Sequence, residues 1–335
     1  MKQVELANPD AGLDGIKVHD VAPPPEPQAG EIMVNLKASS LNFHDYGVAS
    51  GAMAPEAGRI LMSDGAGVIA AVGEGVTEFA KGDEVVSLFF PDWQAGPPRL
   101  SDFSRTPGDG LDGYAREYVT VPASWFTKAP KGWSAAQSAT ITTAGLTAWR
   151  ALVVESQLKA GDTVLLLGTG GVSIYALQIA KAMGARVAIT SSSDDKLEHA
   201  KKLGADFTVN YKSDDKWGET VEAWSQGGVD HVVEVGGPAT LSHSINACRV
   251  GGNIVLIGVL TGLGGEVPTA LMMRKQIKLT GIIVGSRLHQ QDFVKALETL
   301  KIEPVIDKSF QLNELADAFR YEESGQHFGK IVVEY

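Results

Sequence analysis

The first third of the chain has no helical periodicity. Runs such as "EIMVNLKASSL", "AGVIAAVGEGV", "DEVVSLFF" and "AREYVTVPA" are apolar or alternate with period two, and Gly, Pro and Asp separate them. That pattern predicts a small antiparallel barrel or sheet. Among them Pro91 to Gly113 reads as a long loop of Gly, Pro and Asp, a kind of stretch that is usually functional or mobile. "SAAQSATITTAGLTAWRALV" is helix-like, with a break at Gly145. From Asp162 the pattern alternates. "TVLLLG" is a buried strand, and "VSIYALQIAKAMG" a helix with Ile174, Leu177 and Ile179 on its apolar face and Gly184 as its stop. "RVAITS", "ADFTVNY", "VDHVVEVGG", "GGNIVLIGVL" and "IKLTGIIVGS" are further strands, with helices "DDKLEHAKKLG" and "ATLSHSINACRV" between some of them. Six strands with interleaved helices predict an α/β fold with a doubly wound parallel sheet. Two helices and a last strand, "GKIVVEY", follow Ser286.

The turn after the first of those six strands, "VLLLGTGGVS", almost fits the dinucleotide fingerprint G-x-G-x-x-G. Gly168 and Gly170 fit; Ser173 stands in the third place. The stretch follows a strand, opens a helix and sits in a βαβ unit, as a cofactor cradle requires. Gly168 allows the tight turn. Gly170, with Gly171 and Val172, lets backbone N–H groups approach a pyrophosphate at a helix N-terminus. The third place needs only close packing of helix on strand, which a small serine tolerates.

An NAD site usually carries a carboxylate at the tip of the second strand, where it bonds the ribose 2′-OH. Here that tip reads "TSSSDDK". Ser191 and Ser192 supply hydroxyl donors and Lys196 supplies charge for a 2′-phosphate; Tyr211, after the third strand, is placed to cover the adenine or touch the phosphate. The expected cofactor is therefore NADPH. The plainer alternatives are capping serines and a solvated lysine.

Composition narrows the class. The chain has 335 residues, enough for two domains, with 44% hydrophobic and 21% charged residues. No apolar run approaches the ~20 residues that span a membrane, and the N-terminus turns polar too early for a secretory signal. The net charge of −11 argues against a nucleic-acid surface. A cytoplasmic enzyme acting on a small molecule is the expectation, without nucleic-acid or membrane partners. The single cysteine, Cys248, rules out an intrachain disulfide and a cysteine-rich zinc site.

Taken together, "LNFHDY", "SDGAGVIAAVGEGVTEFAKGDEV", "TTAGLTAWRAL", "KAGDTVLLLGTGGVSIYALQIAKAMGARV" and "HFGKIVV" give the chain a resemblance to the medium-chain dehydrogenase/reductase superfamily. Within it, the chain resembles the zinc-free quinone oxidoreductase (zeta-crystallin-like) branch. The resemblance implies a GroES-like β-barrel catalytic domain over residues 1–125, completed by 286–335, and a Rossmann NADP-binding domain over 126–285. Zinc-dependent members bind their catalytic metal through a Cys in the segment matching "LNFHD" and a His-Glu pair in the segment matching "MSDGAG". Here those places hold Asn42 and Ser63-Asp64 or Asp64-Gly65, and Pro91 to Gly113 lacks the four cysteines of the structural-zinc lobe. Both metals are expected to be absent.

The implied function is an NADPH-dependent, zinc-independent transfer of hydride to a quinone or an activated C=C bond. An alcohol dehydrogenase acting on a small alcohol or aldehyde, and a non-catalytic NADPH-binding protein, are the alternatives. The resemblance also places Gly236, Gly258, Val259, Leu260, Val284 and Ser286 along the cofactor, and Lys330 near its phosphates. Asn42 matches the Asn beside the nicotinamide ribose. His44 reads either as the proton donor to the anion left by hydride addition or as a satisfied structural histidine. Tyr46, Phe90 and Trp93 are candidates for facing the substrate, or for anchoring a loop. A homodimer through the edge strand "IKLTGIIVGS" completes the expectation.

Overall fold

The computed structural model describes all 335 residues, Met1 to Tyr335. Strand β1 (Lys2–Leu6) is followed by β2 (Ile16–Asp20) and by the longest strand, β3 (Glu31–Ser40). Ile32, Val34, Leu36 and Ala38 of β3 are all buried, because alternate side chains of a strand share a face. Helix α1 (Phe43–Ala49) follows, then β4 (Arg59–Ile60), β5 (Ala66–Val72), β6 (Glu84–Ser87), β7 (Tyr118–Pro122) and β8 (Phe126–Lys128). Helix α2 (Ala135–Ala139) opens on a capping box: Gln137 N donates to Ser134 Oγ at 3.2 Å, and Ser134 N donates to Gln137 Oε1 at 2.9 Å. The helical stretch widens into π-type turns at Ile141–Gly145 and Arg150–Glu155, on either side of α3 (Leu146–Trp149).

The alternating part runs β9 (Thr163–Leu167), α4 (Gly171–Ala182), β10 (Arg186–Ser191), α5 (Asp194–Lys202), β11 (Phe207–Asn210), α6 (Trp217–Ser225) and β12 (Val229–Glu234). It continues through α7 (Pro238–Ala247), β13 (Cys248–Leu256), α8 (Thr269–Arg274) and β14 (Lys278–Gly281). Helix α9 (Arg287–Leu300), β15 (Ile306–Gln311), α10 (Leu315–Glu323) and β16 (Lys330–Glu334) close the chain. No helix is long and apolar enough to cross a membrane.

Two compact units result. The first comprises Met1–Leu146, Val284–Thr299 and Ile306–Tyr335. Its main sheet has the order β15-β16-β3-β5-β6-β8, with β7 also on β3, and a small sheet β2-β1-β4 stands beside it. β16 pairs antiparallel with the end of β3, setting Val332 against Ser40, Val333 against Ser39 and Glu334 against Ala38. This pairing brings Lys330 to the segment that follows β3. The unit runs on to Leu146, past the boundary at residue 125 that the family resemblance implies. The reason is local: β8 pairs with β6, and α2 packs on β3, β5 and β6.

The second unit comprises Thr147–Ile283 and Leu300–Val305. Its six strands are all parallel, in the order β11-β10-β9-β12-β13-β14. Every residue of β9 is buried, as a central parallel strand covered on both faces requires. The strand order reverses between β9 and β12, and such sheets bind ligands outside the carboxyl ends of the strands at that point.

The segment Pro91 to Gly113 is more built than its composition predicts. It contains a helical turn at Leu100–Phe103 and a bridge between Pro107 and Leu111. Arg287 N and Leu288 N donate to the carbonyls of Trp93 and Gln94 at 2.9 and 3.0 Å, pinning its start to α9.

Candidate active site

The cradle lies at the carboxyl end of β9. Gly168 has φ of +72°, which favours glycine, and Gly170 begins α4 without any side-chain cap. A Cβ built on either glycine would meet no protein atom within 4 Å, so the space over the helix start is open to a ligand. The first N–H groups of a helix have no partner within it, and here those of Gly171 and Val172 face the cradle end. Ser173, the departure from the fingerprint, donates from Oγ to Leu167 O at 2.7 Å and so ties helix to strand. The residues present fit a dinucleotide pyrophosphate.

At the tip of β10, Thr190 Oγ1 accepts from Gly168 N at 3.4 Å, which makes the first tip hydroxyl part of the turn itself. Ser191 is buried; its Oγ accepts from Ser193 N at 3.3 Å and keeps its own proton to donate. Ser192 and Lys196 are half-buried, and Tyr211 is exposed, its N–H donating to Ser191 O at 3.1 Å. Asp194, the nearest carboxylate, accepts from Asn210 Nδ2 at 2.7 Å.

Glu234, which the pattern of the chain did not single out, organises the turn after β12. It is fully buried and accepts from Gly236 N at 2.7 Å, Gly237 N at 3.0 Å and Thr240 Oγ1 at 2.6 Å, and from Ser244 Oγ. The available signal was a carboxylate ending an otherwise apolar strand just before Gly-Gly. Gly258 follows β13 at a place where a Cβ would lie 2.4 Å from Val235 O, so only glycine fits. Val259 and Leu260 beyond it are exposed. Val284 and Ser286, in the first unit, are buried; Ser286 Oγ accepts from His289 N at 3.3 Å.

The first unit holds a buried charged cluster where β3 ends. Asn42 Nδ2 donates to Asp45 Oδ2 at 2.9 Å and Asp64 Oδ2 at 3.0 Å, and Asn42 Oδ1 accepts from Lys330 Nζ at 2.7 Å. Lys330 also donates to Leu41 O. Asp64 accepts from Ser40 Oγ at 2.6 Å and from Thr143 Oγ1 at 2.6 Å, and Asp45 accepts from Ser63 N at 2.7 Å. Glu322, 3% exposed, leaves its Oε2 without a hydrogen bond. Burial pushes the Asp64 carboxyl up to about 6, against the pull of the Lys330 charge. Burial pushes Glu322 up to about 8 and pulls the Lys330 ammonium down. Chain distance explains why most of this cluster was missed: Thr143, Glu322 and Lys330 reach it from separate segments.

Several expected roles change. Lys330 is buried against Asn42 and so is not a phosphate ligand, because β16 carries it into the charged cluster. Tyr46 donates from its hydroxyl to Glu323 at 2.6 Å, which turns it toward α10 rather than toward a substrate. Phe90 and Trp93 are buried: Phe90 packs on Phe103 at 4.7 Å between ring centres, and Trp93 Nε1 donates to Gly96 O at 2.9 Å. They anchor the loop. His44 Nε2 lies 3.2 Å from Asp109 Oδ2, and its Nδ1 is buried without a hydrogen bond. Through the Nε2 contact, His44 links α1 to the 104–113 segment.

A structural or catalytic zinc takes Cys, His or carboxylate ligands in a tetrahedron. Around Asn42 the groups are its own amide and the Asp45 and Asp64 carboxylates, both already hydrogen-bonded, with the Lys330 ammonium beside them. No three His, Cys, Asp or Glu side chains converge to hold a metal ion. This donor set does not fit zinc.

The comparisons agree with this architecture. Residues 28–131 match the alcohol dehydrogenase GroES-like domain, and residues 171–301 match the zinc-binding dehydrogenase domain. The chain is 40% identical over 333 residues to a zinc-type alcohol dehydrogenase-like protein of Schizosaccharomyces pombe, with 96% of each covered. It is 26% identical over 342 residues to an acryloyl-coenzyme A reductase of Sulfurisphaera tokodaii, with 99% of each covered. A solved alcohol dehydrogenase-like protein from Sinorhizobium meliloti 1021 superposes with a TM-score of 0.93 at 38% identity, covering 100% of this chain and 98% of that one. A GroES-like unit joined to a Rossmann-type parallel sheet defines a nicotinamide-dependent oxidoreductase fold. The chain belongs to the medium-chain dehydrogenase/reductase superfamily.

Proposed function

We propose that the protein is an NADPH-dependent, zinc-independent reductase of activated C=C bonds or quinones, in the zinc-free quinone oxidoreductase branch of its superfamily. One observation carries the reading: at the places of the catalytic-zinc ligands stand Asn42 and Asp64, hydrogen-bonded to each other, with the Lys330 ammonium on the Asn42 amide. Without a Lewis acid to polarise an alcohol or carbonyl oxygen, the acceptor must arrive already electrophilic. A relative named for reduction of acryloyl-coenzyme A, an activated alkene, supports the same class.

The bound cofactor supplies the hydride. Gly168, Gly170, Gly171 and Val172 hold its pyrophosphate, and Ser191, Ser192, Lys196 and Tyr211 receive the 2′-phosphate. Asn42, its amide fixed by Lys330, Asp45 and Asp64, positions the nicotinamide ribose. The physiological assembly is a cytoplasmic homodimer through β14, the edge strand of the six-stranded sheet.

The test is consumption of NADPH with an enone and with 1,4-benzoquinone, before and after exhaustive chelation. Equal rates are expected. About one tightly held zinc per chain, with alcohol oxidation lost on chelation, would overturn the reading.

A further inference from the structure

Hydride addition to an activated alkene leaves an anion that needs a proton, and His44 has its Nε2 held by Asp109 and its Nδ1 buried. We propose that Thr143 delivers that proton and that Asp64 recharges Thr143, the two forming a buried proton relay. The proposal rests on the reductase reading above.

The charged cluster must store protons. Asp45, Asp64 and Glu322 are at most 3% exposed, and Lys330 is the one cation among them. Three carboxylates against one ammonium would leave two uncompensated charges in a dry interior, where an unpaired charge is costly. A stored proton is useful only if it can leave. Asp45 is bonded by the Ser63 backbone N–H and the Asn42 amide, groups that donate but do not pass protons on. Asp64 differs. Its Oδ1 lies 2.6 Å from Thr143 Oγ1, and a hydroxyl both donates and accepts. Thr143 is half-buried, whereas Ser40 and Asn42, the other side chains bonded to Asp64, are buried. Thr143 is thus the outlet.

Two hydrogen-bond states follow. With Asp64 ionised, Thr143 donates to it. With Asp64 protonated on Oδ1, Asp64 donates to Thr143 Oγ1 and the Thr143 hydroxyl hydrogen is free to point away. In the reaction the acceptor gains a C–H bond from the hydride, whose two electrons come from the dihydronicotinamide, which is oxidised. The resulting anion then takes the Thr143 hydroxyl hydrogen, the Asp64 O–H bond breaks as Thr143 Oγ1 takes its proton, and Asp64 is left as carboxylate. Solvent returns the proton through Thr143 after product leaves. Asp64 is suited to this near neutrality: burial and the Asp45 charge raise it, while Lys330, Asn42 and Ser40 lower it, and His44 senses its charge from α1.

Two measurements test the relay. Infrared spectra of the protein alone, titrated from pH 5 to 8, are expected to show a protonated-carboxyl band that Asp64→Asn removes and Thr143→Val shifts. With NADPH and an enone, Thr143→Val is expected to lower kcat about 100-fold with NADPH affinity unchanged. Thr143→Ser, which restores the hydroxyl, should stay near wild type and keep the solvent deuterium isotope effect. A band unmoved by Thr143→Val, or a Thr143→Val kcat within twofold of wild type, overturns the relay alone. No turnover by wild type on any acceptor overturns the reductase reading and the relay with it.

Discussion

Lys330 Nζ sits 2.7 Å from Asn42 Oδ1, joining the last strand of the chain to the segment that follows β3. The ammonium thereby orients the amide whose other end is shared by Asp45 and Asp64. Removing one partner of such a buried set leaves the others uncompensated, at about 3–5 kcal/mol. Lys330→Met is expected to destabilise the protein by that order in urea unfolding. Adding Asp64→Asn should recover part of the loss; a double variant as unstable as the single one would show that the two are not coupled.

Stability should fall as pH rises from about 5 to 8. Glu322 has an ordinary value of 4.5 and is pushed up to about 8 in the fold, so across that window the folded chain keeps a proton that the unfolded chain has released. Its contribution is whole below the unfolded value and is lost as pH rises through the folded one. His44 acts in the same sense. Burial lowers it, but the Asp109 hydrogen bond and the charges of Asp45, Asp109 and Asp64 outweigh burial and raise it. Glu322→Gln should flatten the dependence by about 1 kcal/mol per pH unit. Urea midpoints at pH 5.5 and 8 decide.

The His44–Asp109 pair makes a separate claim on the 104–113 segment. The hydrogen bond to His44 holds the Asp109 carboxyl below its usual range, against burial. Asp109→Asn is expected to lower the His44 value, read from its ring proton shifts, and to speed proteolysis within that segment. Unchanged shifts would show that the pair does not persist in solution.

The cradle offers a substitution that tests binding without disturbing the fold. Gly170 has φ of −79°, open to any residue, and its Cβ would touch no protein atom within 4 Å. Gly170→Val should therefore leave thermal unfolding unchanged while weakening NADPH binding at least about tenfold, or about 1.4 kcal/mol. Lys196→Ala should weaken NADPH by a similar factor and leave NADH unaffected. Fluorescence titration with both cofactors distinguishes the pocket for the 2′-phosphate from a general loss.

The second unit was readable from the chain because parallel strands buried on both faces appear as unbroken apolar runs. "TVLLL" became the central strand, and the cradle followed from glycines placed where a strand turns into a helix. The serine at the third fingerprint position was legible as tolerable. That its hydroxyl ties the helix to Leu167 O was not. The loop after Pro91 misled because Gly, Pro and Asp report local backbone freedom, whereas Phe90 and Trp93 are held by long-range packing.

Local periodicity and turn chemistry act over a few residues, so the chain alone determined the α/β architecture, the glycine-rich cradle and the absence of Cys and His at the places where zinc-dependent relatives bind their catalytic metal. Tertiary structure alone decided which polar groups share one buried space. Asn42, Asp64, Thr143, Glu322 and Lys330 come from five separate segments, and only the pairing of β16 with β3, together with the packing around it, brings them within reach. Desolvation and charge balance act through space, and so Lys330 became the partner of an amide instead of a phosphate.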